Sequence, residues 1–412
     1  DQAFSALGLL SMAGTPYICR VMPNAMQLTE VTDTKSARDF IAVNVHLNKD
    51  NPDYIRPLDK DIQDVFDEKK NKTFRFGTAK RWILRDSNGK LIGRIAAFTN
   101  KRYKNKGDDV PVGGVGFFDC INNQEAANLL FDTAKQWLSS QGMEAMDGPI
   151  NFGERDRWWG LVVEGFQPPL YGMNYNPPYY KALFETYGFQ AFFHQVCFGR
   201  NPKEKLSGKA VERHAMYEKD PQFSVRNIEK NKLEKYAEDF TTVYNAAWAG
   251  HGGLKQMKKE QVVQMFKKMA PVMDERIIWF AYKNEKPIAI FVNLPDLNQW
   301  FKHLNGKFDL WHKLKFLWIK KTVECTKFTG LVFGVVPEFH GKGIDSFMVG
   351  EAYKTVVKNP YNEYEMQWIG DFNPKMLNVA QGIGDVHQSR KLTTYRFLFD
   401  RTKEFKRHPI LV

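Results

Sequence analysis

The stretch "VVPEFHGKGIDSF" (Val335–Phe347) decides how the sequence is interpreted. A β-branched run ends at the start of this stretch. Gly341 and Gly343 then flank Lys342, and an apolar helical pattern follows. Glycines let the backbone turn tightly and approach a ligand, and the free N–H groups of a helix's first turn favour an anion. Taken alone, the stretch is better explained by a plain turn between strand and helix, because neither GxxxxGK[ST] nor GxGxxG is present.

The order of predicted elements gives this stretch its context. Hydrophobic periodicity and turn signals predict the same succession twice: strand, helices, hairpin, strand, helix, strand, short helix, strand. The first hairpin turns at Ser87-Asn88-Gly89 and the second at Asn284-Glu285. Such a repeat predicts an α/β protein made of two copies of one unit, each a mixed central β-sheet flanked by helices.

Within that order, the stretch resembles a known family. "VFGVVPEFHGKGI" looks like the fourth strand and pyrophosphate loop, Gln/Arg-x-x-Gly-x-Gly/Ala, of the GNAT (GCN5-related N-acetyltransferase) acyltransferases. "EMQWIGDFNPKMLNVAQGIG" looks like their fifth strand and following helix, with Asn373 and Gly384 at matching positions. The first half repeats this in "YNPPYYKALFETYGF", with Asn176 and Gly188. Residues 26–400 as a whole are similar to little-characterised bacterial two-domain GNAT proteins.

The resemblance implies two tandem GNAT-like domains and acetyl-CoA or another acyl-CoA as cofactor. We expect a tail or artefact at 1–25, a first domain at 26–200, a linker at 201–221 and a second domain at 222–412. The first domain has no cradle, because "INNQEAAN" follows its strand Val112–Cys120. The residues expected to bind the cofactor are Val335, Val336, His340, Gly341, Lys342, Gly343, Ile344, Asp345 and Asn373. For Asn373, a helix cap is at least as good an explanation.

The sequence departs from the family pattern at four positions. His340 stands where Gln or Arg is usual, and Asp345 where Gly or Ala is usual. An inward Asp345 would repel pyrophosphate, whereas an outward one could cap the helix. Many GNAT enzymes carry a Tyr acid at the positions of Ala380 and, in the first half, Phe184.

Acyl transfer to an amine needs a group that takes the amine's proton. The candidates are Glu365 and Asp371 at the ends of the predicted fifth strand, and His251 in "WAGHGG". Each could equally be an ordinary surface or structural residue. The substrate cleft is expected to include Arg155, Trp158, Trp159 and Tyr175, for which packing at the domain interface is the main alternative.

Residues 307–328 form an insertion relative to ordinary GNAT domains. Leu310, Trp311, Leu314, Leu317 and Trp318 can share one helical face, with lysines elsewhere. The favoured interpretation is a cover helix on the core. The alternative is a basic amphipathic helix that contacts membrane lipid or an acyl chain.

Composition narrows the class of protein. The formal net charge is +12, and the lysines are spread widely, so we expect a solvated basic surface and no nucleic-acid partner. Four cysteines lack metal-like spacing, which predicts reduced thiols, a cytoplasmic location and no metal. No apolar run is long enough to span a bilayer.

The sequence therefore predicts an acyl-CoA-dependent N-acyltransferase whose partners are acyl-CoA and a small-molecule or peptide amine. Two alternatives stay open. One is a non-catalytic module that keeps the fold and the ligand, which the missing Tyr at Ala380 favours. The other is an aminoacyl transferase of the Fem type, which the basic charge suits and the cradle disfavours.

Overall fold

The computed structural model describes residues 26–248, 256–382 and 386–411. The first half contains β1 (Gln27–Glu30), α1 (Thr34–Asn48), α2 (Asp59–Val65), β2 (Gly77–Arg85), β3 (Leu91–Asn100), β4 (Val112–Cys120), α3 (Gln124–Ser140), β5 (Ala145–Gly148), β6 (Leu161–Glu164), α4 (Tyr180–Tyr187) and β7 (Gln190–Arg200). The second half contains α5 (Gly208–Glu218), β8 (Phe223–Asn227), α6 (Leu233–Trp248), α7 (Lys259–Met269), β9 (Trp279–Lys283), β10 (Lys286–Pro295), α8 (Asn298–Phe301), α9 (Leu310–Thr322), β11 (Lys327–Val335), α10 (Ile344–Val356), β12 (Glu363–Met366), β13 (Ile369–Gly370), α11 (Pro374–Gly382) and β14 (His387–Leu398).

The repeated α/β order is confirmed, and short-range contacts account for several of its caps and turns. Asn123 caps α3 by accepting the N–H of Ala126. Asn284 and Glu285 both take positive φ in the turn between β9 and β10. Asn and Gly at turns and caps act through neighbouring residues, which is why the sequence alone reveals them.

All the described strands join in one mixed sheet, with the order β1-β2-β3-β4-β5-β14-β7-β12-β11-β10-β9-β8. The two halves exchange their last strands. Strand β14, from the end of the chain, pairs with β5 and β7 of the first half. Strand β7, from the first half, also pairs with β12 of the second half. One sheet therefore contains strands of both halves. The domain boundary predicted at residues 201–221 stays a prediction.

Two stretches differ from expectation. Residues 201–221 look irregular in sequence, yet α5 occupies half of them. It is held by tertiary contacts that its own polar composition does not reveal: the ring centroids of Tyr217 and Phe347 on α10 lie 5.6 Å apart.

The interpretation of 307–328 as a simple cover helix is wrong in one respect. Helix α9 does pack on the core, but through Phe316 and Ile319. The five residues expected to cover the core are instead exposed on its outer side. No described helix is both long and apolar enough to cross a membrane.

Candidate functional site

The glycine loop, residues 336–343, connects the end of β11 to the start of α10. Gly341 and Gly343 have φ values of 72° and 85°, a region that glycine enters without steric cost. Gly343 is the N-cap of α10, and no side chain caps this helix. The Cβ position of Gly341 has no atom within 4 Å, so the loop is open to a ligand on that side.

The backbone N–H groups of the loop are suited to an anion. In the part of the chain that the structure describes, the N–H groups of Gly341 and Gly343 have no hydrogen-bond acceptor. The first N–H groups of any α-helix also lack partners within the helix, and the helix dipole adds positive potential there. The loop therefore presents unpaired donors at the end of α10, where a phosphate could accept them.

Several residues predicted to bind the cofactor also hold the loop in place, and their contact with a cofactor stays a prediction. His340 turns back and donates from Nε2 to the carbonyl oxygen of Val335, at 2.8 Å. The N–H of Val336 donates to Ile288, and Ile344 is buried in the core. The carbonyl oxygen of Lys342 accepts the hydroxyl of Tyr217 on α5, at 2.6 Å.

A groove of about 490 Å³ opens beside this loop. Its floor is the end of β11, its walls are α5, α6 and α11, and its mouth is the glycine loop. The lining residues are Arg213, Ala247, Trp248, Phe333, Gly334, Val335, Phe339, His340, Gly341, Gly343, Asp345, Lys375, Met376, Asn378, Val379 and Gly382.

The groove exists because two parallel strands separate. Strand β11 pairs with β12 from Lys327 to Gly330, and β12 then ends at Met366. The next strand, β13, pairs with β7 instead. Residues 331–335 of β11 are therefore left with an open edge toward α11, and we call this opening the second-half gap.

Charged side chains of both signs line the groove. Arg213 and Lys375 are positive, and neither forms a salt bridge with any described residue. Asp345 also lines the groove, and its Oδ2 lies 3.9 Å from the Cβ position of Gly382, another lining residue, so the carboxylate lies on the groove side. It does not cap α10, whose N-cap is Gly343. The inward carboxylate opposes a phosphate group, while the two cations favour one.

Trp248 and Gly334 shape the floor of the groove. A Cβ on Gly334 would lie 2.4 Å from Cη2 of Trp248, so only glycine lets the indole lie against β11. Trp248 is the last described residue of α6. His251, the predicted base in the next loop, lies outside the described residues, as does Gly384, and the role of His251 stays a prediction.

Asn373 caps α11. Its Oδ1 accepts the N–H of Met376 at 3.2 Å, which matches the simpler of its two interpretations. A contact between Asn373 and a cofactor remains a prediction.

Glu365 is buried in an ion-pair network. Its carboxylate accepts from Nε of Arg390 at 2.5 Å and lies 2.7 Å from Nζ of Lys327, and it also accepts the hydroxyl of Ser389. Burial by itself raises its pKa, but the hydrogen bonds and charges of Arg390 and Lys327 outweigh burial and lower the pKa to about 2. The Glu365 carboxylate therefore stays negatively charged beside its two cationic partners and has little tendency to accept a proton.

Asp371 follows β13, where its carboxylate accepts the N–H of His194 at 3.1 Å and a guanidinium N–H of Arg407 at 2.6 Å. It is half-buried, so solvent can reach it. Of the two described carboxylates predicted as bases, Asp371 is the more accessible.

The predicted cleft residues divide between two places. Trp158 and Tyr175 line a small first-half cavity of about 60 Å³. Arg155 and Trp159 lie beside Tyr103, where the guanidinium is 5.2 Å from the Trp159 ring centroid. These four residues therefore do not form one common surface.

The first-half cavity is also lined by a buried polar cluster that sequence reasoning did not single out. The carboxylate of Asp119 accepts from Asn44, Arg94 and Tyr180, and Tyr54 donates to Asn44. The only signal in the sequence is a carboxylate inside the apolar strand "VGGVGFFDC". The members satisfy one another, which is the usual condition for polar groups in a core.

One cluster has the residue types of a metal site. Ligand atoms of His214, Glu218 and Glu351 lie within 4.8 Å of one another. The ammonium group of Lys354 bonds to both carboxylates, at 2.9 and 2.7 Å. A cation is thus already supplied by the chain, and the cluster joins α5 to α10 as an ion-pair network.

No protein-family model matches the chain. Among curated proteins, it is 25% identical over 363 residues to the bacterial ceramide synthase of Caulobacter vibrioides. The matched residues cover 87% of this chain and 92% of that protein. It is also 24% identical over 351 residues to protein YghO of Escherichia coli, and this match covers 84% of this chain and 88% of YghO.

Solved structures identify the fold. A tandem GNAT protein from the clavulanic acid biosynthesis pathway superposes with a TM-score of 0.50 and 9% identity, over 92% of this chain and 100% of that one. This chain has the tandem GNAT fold. The glucosamine N-acetyltransferase region of a fungal multi-domain β-N-acetylglucosaminidase gives the same TM-score at 14% identity, over 92% of this chain and 38% of that much longer one.

The two GNAT units are not equivalent in this chain. The second unit has the glycine loop, the groove and the second-half gap. It also has Ala380, fully buried in the core, where the family pattern has a Tyr acid. In the first unit, Phe184 takes the matching position and is buried as well. Neither unit therefore offers an acidic side chain at that position.

Proposed function

We propose that this chain is an N-acyltransferase that uses acyl-CoA bound in its second GNAT unit. The observation that carries the proposal is the groove, which leads from the open edge of β11 to the unpaired N–H groups of Gly341 and Gly343. The fold supports it independently, since the neighbouring tandem protein also belongs to the GNAT class.

The groove offers coenzyme A both hydrogen-bond donors and positive charge. The N–H groups of the glycine loop would hold the pyrophosphate, and Arg213 and Lys375 would balance its charge. The open edge of β11 offers backbone groups to the amide-containing arm. When bound, the cofactor supplies a thioester whose carbonyl carbon is attacked by an amine nitrogen, so that a C–N bond forms and the C–S bond breaks.

The leaving group explains how transfer proceeds without a Tyr at Ala380. A thiol has a pKa of roughly 8.5, so a thiolate leaves near neutral pH without a strong acid beside it. The amine's proton must still be removed, and among the described candidates Asp371 is the one that solvent reaches. We therefore propose Asp371 or His251 as the base, and a structural role for Glu365.

For the acceptor we propose a long-chain amine. The similarity to a protein named bacterial ceramide synthase extends over 92% of that protein. A ceramide is the amide of a long-chain amino alcohol and a fatty acid. The proposed reaction of this chain is accordingly transfer of a fatty acyl group from its coenzyme A thioester to such an amine.

The test offers the purified chain two donors, acetyl-CoA and palmitoyl-CoA, and two acceptors, sphinganine and ethanolamine. Thiol release and the mass of the amide product are measured for each pair. We expect the palmitoyl amide of sphinganine to form fastest. Binding of acyl-CoA without thiol release from any pair would instead favour the non-catalytic alternative.

A variant of the glycine loop tests the cofactor site itself. Gly341→Glu adds a negative charge at the mouth of the groove, and we expect acyl-CoA to bind at least about tenfold more weakly by calorimetry. Gly142→Glu is the matched control, because Gly142 has φ of 78° and an equally open Cβ position far along the chain. Equal affinities in the two variants would contradict the proposed site.

A further inference from the structure

Helix α9 exposes a continuous apolar face to solvent. Leu310, Trp311, Leu314, Leu317 and Trp318 are 74%, 79%, 53%, 53% and 63% exposed. Large apolar side chains that are exposed singly are ordinary, but five on one short helix form a patch that marks an interaction surface.

These five residues lie opposite the side that packs on the protein. With 3.6 residues per turn, each residue advances roughly 100°, so the five fall within an arc of roughly 120°. Phe316 and Ile319, the buried residues of α9, point to the other side of the helix. The exposed face is thus the outer surface of a helix whose inner side is already occupied.

The helix is firmly attached to the protein. Phe316 packs against Trp300 and Phe301 of α8, with ring centroids 6.1 and 5.5 Å away. The Nζ of Lys315 donates to the carbonyl oxygen of His303 at 2.7 Å. The carboxylate of Asp309 accepts the N–H of His312 and so caps the start of α9. The apolar face is therefore presented on a supported element.

Lysines border the apolar face on both sides. On the same helical projection, Lys313 and Lys320 lie beyond one edge of the arc, Lys315 lies beyond the other, and Lys321 lies at its C-terminal end. The Nζ atoms of Lys315 and Lys320 donate to the carbonyl oxygens of His303 and Pro271, so these two lysines turn back to the protein. Lys313 and Lys321 are exposed, and such long side chains can extend their charge away from an apolar surface while their stems remain in contact with it.

The charge of this segment is strongly one-sided. Residues 302–324 contain six lysines and two carboxylates, Asp309 and Glu324. Across the described ranges, none of the six lysines has a carboxylate within salt-bridge distance. Asp309 is engaged by His312, at 2.8 Å. The segment thus keeps an uncompensated positive charge around its apolar face.

We propose that α9 docks on the surface of an anionic lipid bilayer. Its apolar face would enter the boundary between headgroups and acyl chains, its tryptophans would lie at that interface, and Lys313 and Lys321 would contact anionic headgroups. The 13 residues of α9 extend about 20 Å, well short of the roughly 30 Å hydrocarbon core, so the helix would lie in the plane of the surface.

Charge favours a membrane over a second copy of this chain. A twofold dimer would place the same patch against itself, so the bordering lysines would face one another and repel. An anionic bilayer offers the opposite charge beside an apolar layer. This inference depends only on α9 and is independent of whether the groove binds acyl-CoA.

The experiment measures sedimentation of the full chain with vesicles of phosphatidylcholine alone or with about 30% phosphatidylglycerol. The salt concentration is kept at about 0.1 M to limit screening. We expect binding to the anionic vesicles. Trp311→Ala/Trp318→Ala and Lys313→Glu/Lys321→Glu should each weaken that binding at least about tenfold. Both pairs of side chains are exposed, so far-UV circular dichroism and the melting temperature should stay unchanged.

Matched controls separate this surface from general basicity. Met216→Ala removes an apolar side chain that is 65% exposed on α5, and Lys101→Glu/Lys104→Glu reverses two exposed lysines of the first half. These controls should bind vesicles like the original chain. The proposal is overturned if the chain does not bind anionic vesicles, or if the α9 variants bind them as well as the controls do. Absence of vesicle binding together with a dimer, seen by light scattering, that only the α9 substitutions dissociate would instead identify α9 as a contact between two copies of the chain.

Discussion

In each half of the molecule, two parallel strands begin side by side in the same register. Val112 of β4 pairs with Ala145 of β5, and Lys327 of β11 pairs with Glu363 of β12. The third pair places Asp147 in the first half where Glu365 stands in the second. Beyond these pairs the halves diverge: among the described residues, the two parallel strands separate in the second half and stay together in the first.

The first half keeps its strands together at the corresponding point. The N–H of Ile150 donates to the carbonyl oxygen of Val115, at 2.8 Å. At the next residue, Gly116, a Cβ would lie 1.9 Å from the carbonyl oxygen of Ile150. The corresponding residue of the second half, Leu331, is 39% exposed. The chain itself therefore fills in the first half the space that the second half leaves open.

The comparison also explains the two carboxylates. Asp147 is ion-paired with Arg396 at 2.6 Å, and Glu365 with Arg390 at 2.5 Å. Both arginines belong to β14, the exchanged strand, so one buried pair ties β14 to each half. A carboxylate that recurs in the half whose parallel strands stay together is best explained by this structural role.

The largest loss of stability is expected from substitutions that break these buried ion pairs. Glu365→Ala leaves the guanidinium of Arg390 buried without its carboxylate partner, and leaves Lys327 only Glu363, at 3.6 Å, so it should lower the free energy of unfolding by about 3–5 kcal/mol. Asp147→Ala should cost less, because Arg396 keeps a second carboxylate, Asp108, at 2.8 Å. Urea unfolding measures this. Glu363→Ala, on the same strand but half exposed, is the control and should cost less than about 1 kcal/mol. Loss of activity with unchanged stability in Glu365→Ala would show that the two halves differ here.

Acid should weaken the same network. The pKa of Glu365 is about 2 in the folded chain against 4.5 for a free glutamate, so its charged form stabilises the fold. That contribution is fully present above pH 4.5 and is lost as the pH falls toward 2. Urea unfolding at a series of pH values should show a loss on the order of 3 kcal/mol in this window, reduced in Glu365→Ala. An identical pH dependence in that variant would contradict the assignment.

A smaller effect tests the closed first half. Gly116→Ala pushes a methyl group against the carbonyl oxygen of Ile150, and should destabilise the fold by about 1–3 kcal/mol. Leu331→Ala, at the corresponding position of the open half, should change stability by less than about 0.5 kcal/mol. Thermal unfolding of both variants measures the difference. Equal stability losses would mean that the strands of both halves are equally close.

The smallest effect concerns Asp345. Because its carboxylate faces the groove beside Arg213 and Lys375, Asp345→Asn should strengthen acyl-CoA binding by about three- to tenfold. Calorimetry with coenzyme A measures the change. Asp109→Asn is a control, since Asp109 is an exposed carboxylate of the first half. Weaker binding in Asp345→Asn would indicate that this carboxylate contributes to ligand recognition.

What the sequence determined alone is the local framework of both units. Turn residues such as Asn284, the cap Asn123 and the positive-φ glycines of the loop act through neighbours a few residues away, so their pattern is visible in one chain. The repeated order of elements predicted two copies of one α/β unit for the same reason, whereas the GNAT fold was implied by the resemblance of the quoted motifs to that family.

Only the tertiary structure decided which groups meet across the sheet. The pairing of Glu365 with Arg390 depends on the exchange of β14, and the inward direction of Asp345 depends on the packing of α10 against its neighbours. Likewise, periodicity grouped the five apolar residues of α9 on one face, but only the packing of Phe316 and Ile319 turned that face outward. Contacts between distant segments depend on how the surfaces fit together, and hydrophobic periodicity does not specify which of two apolar faces a core will accept.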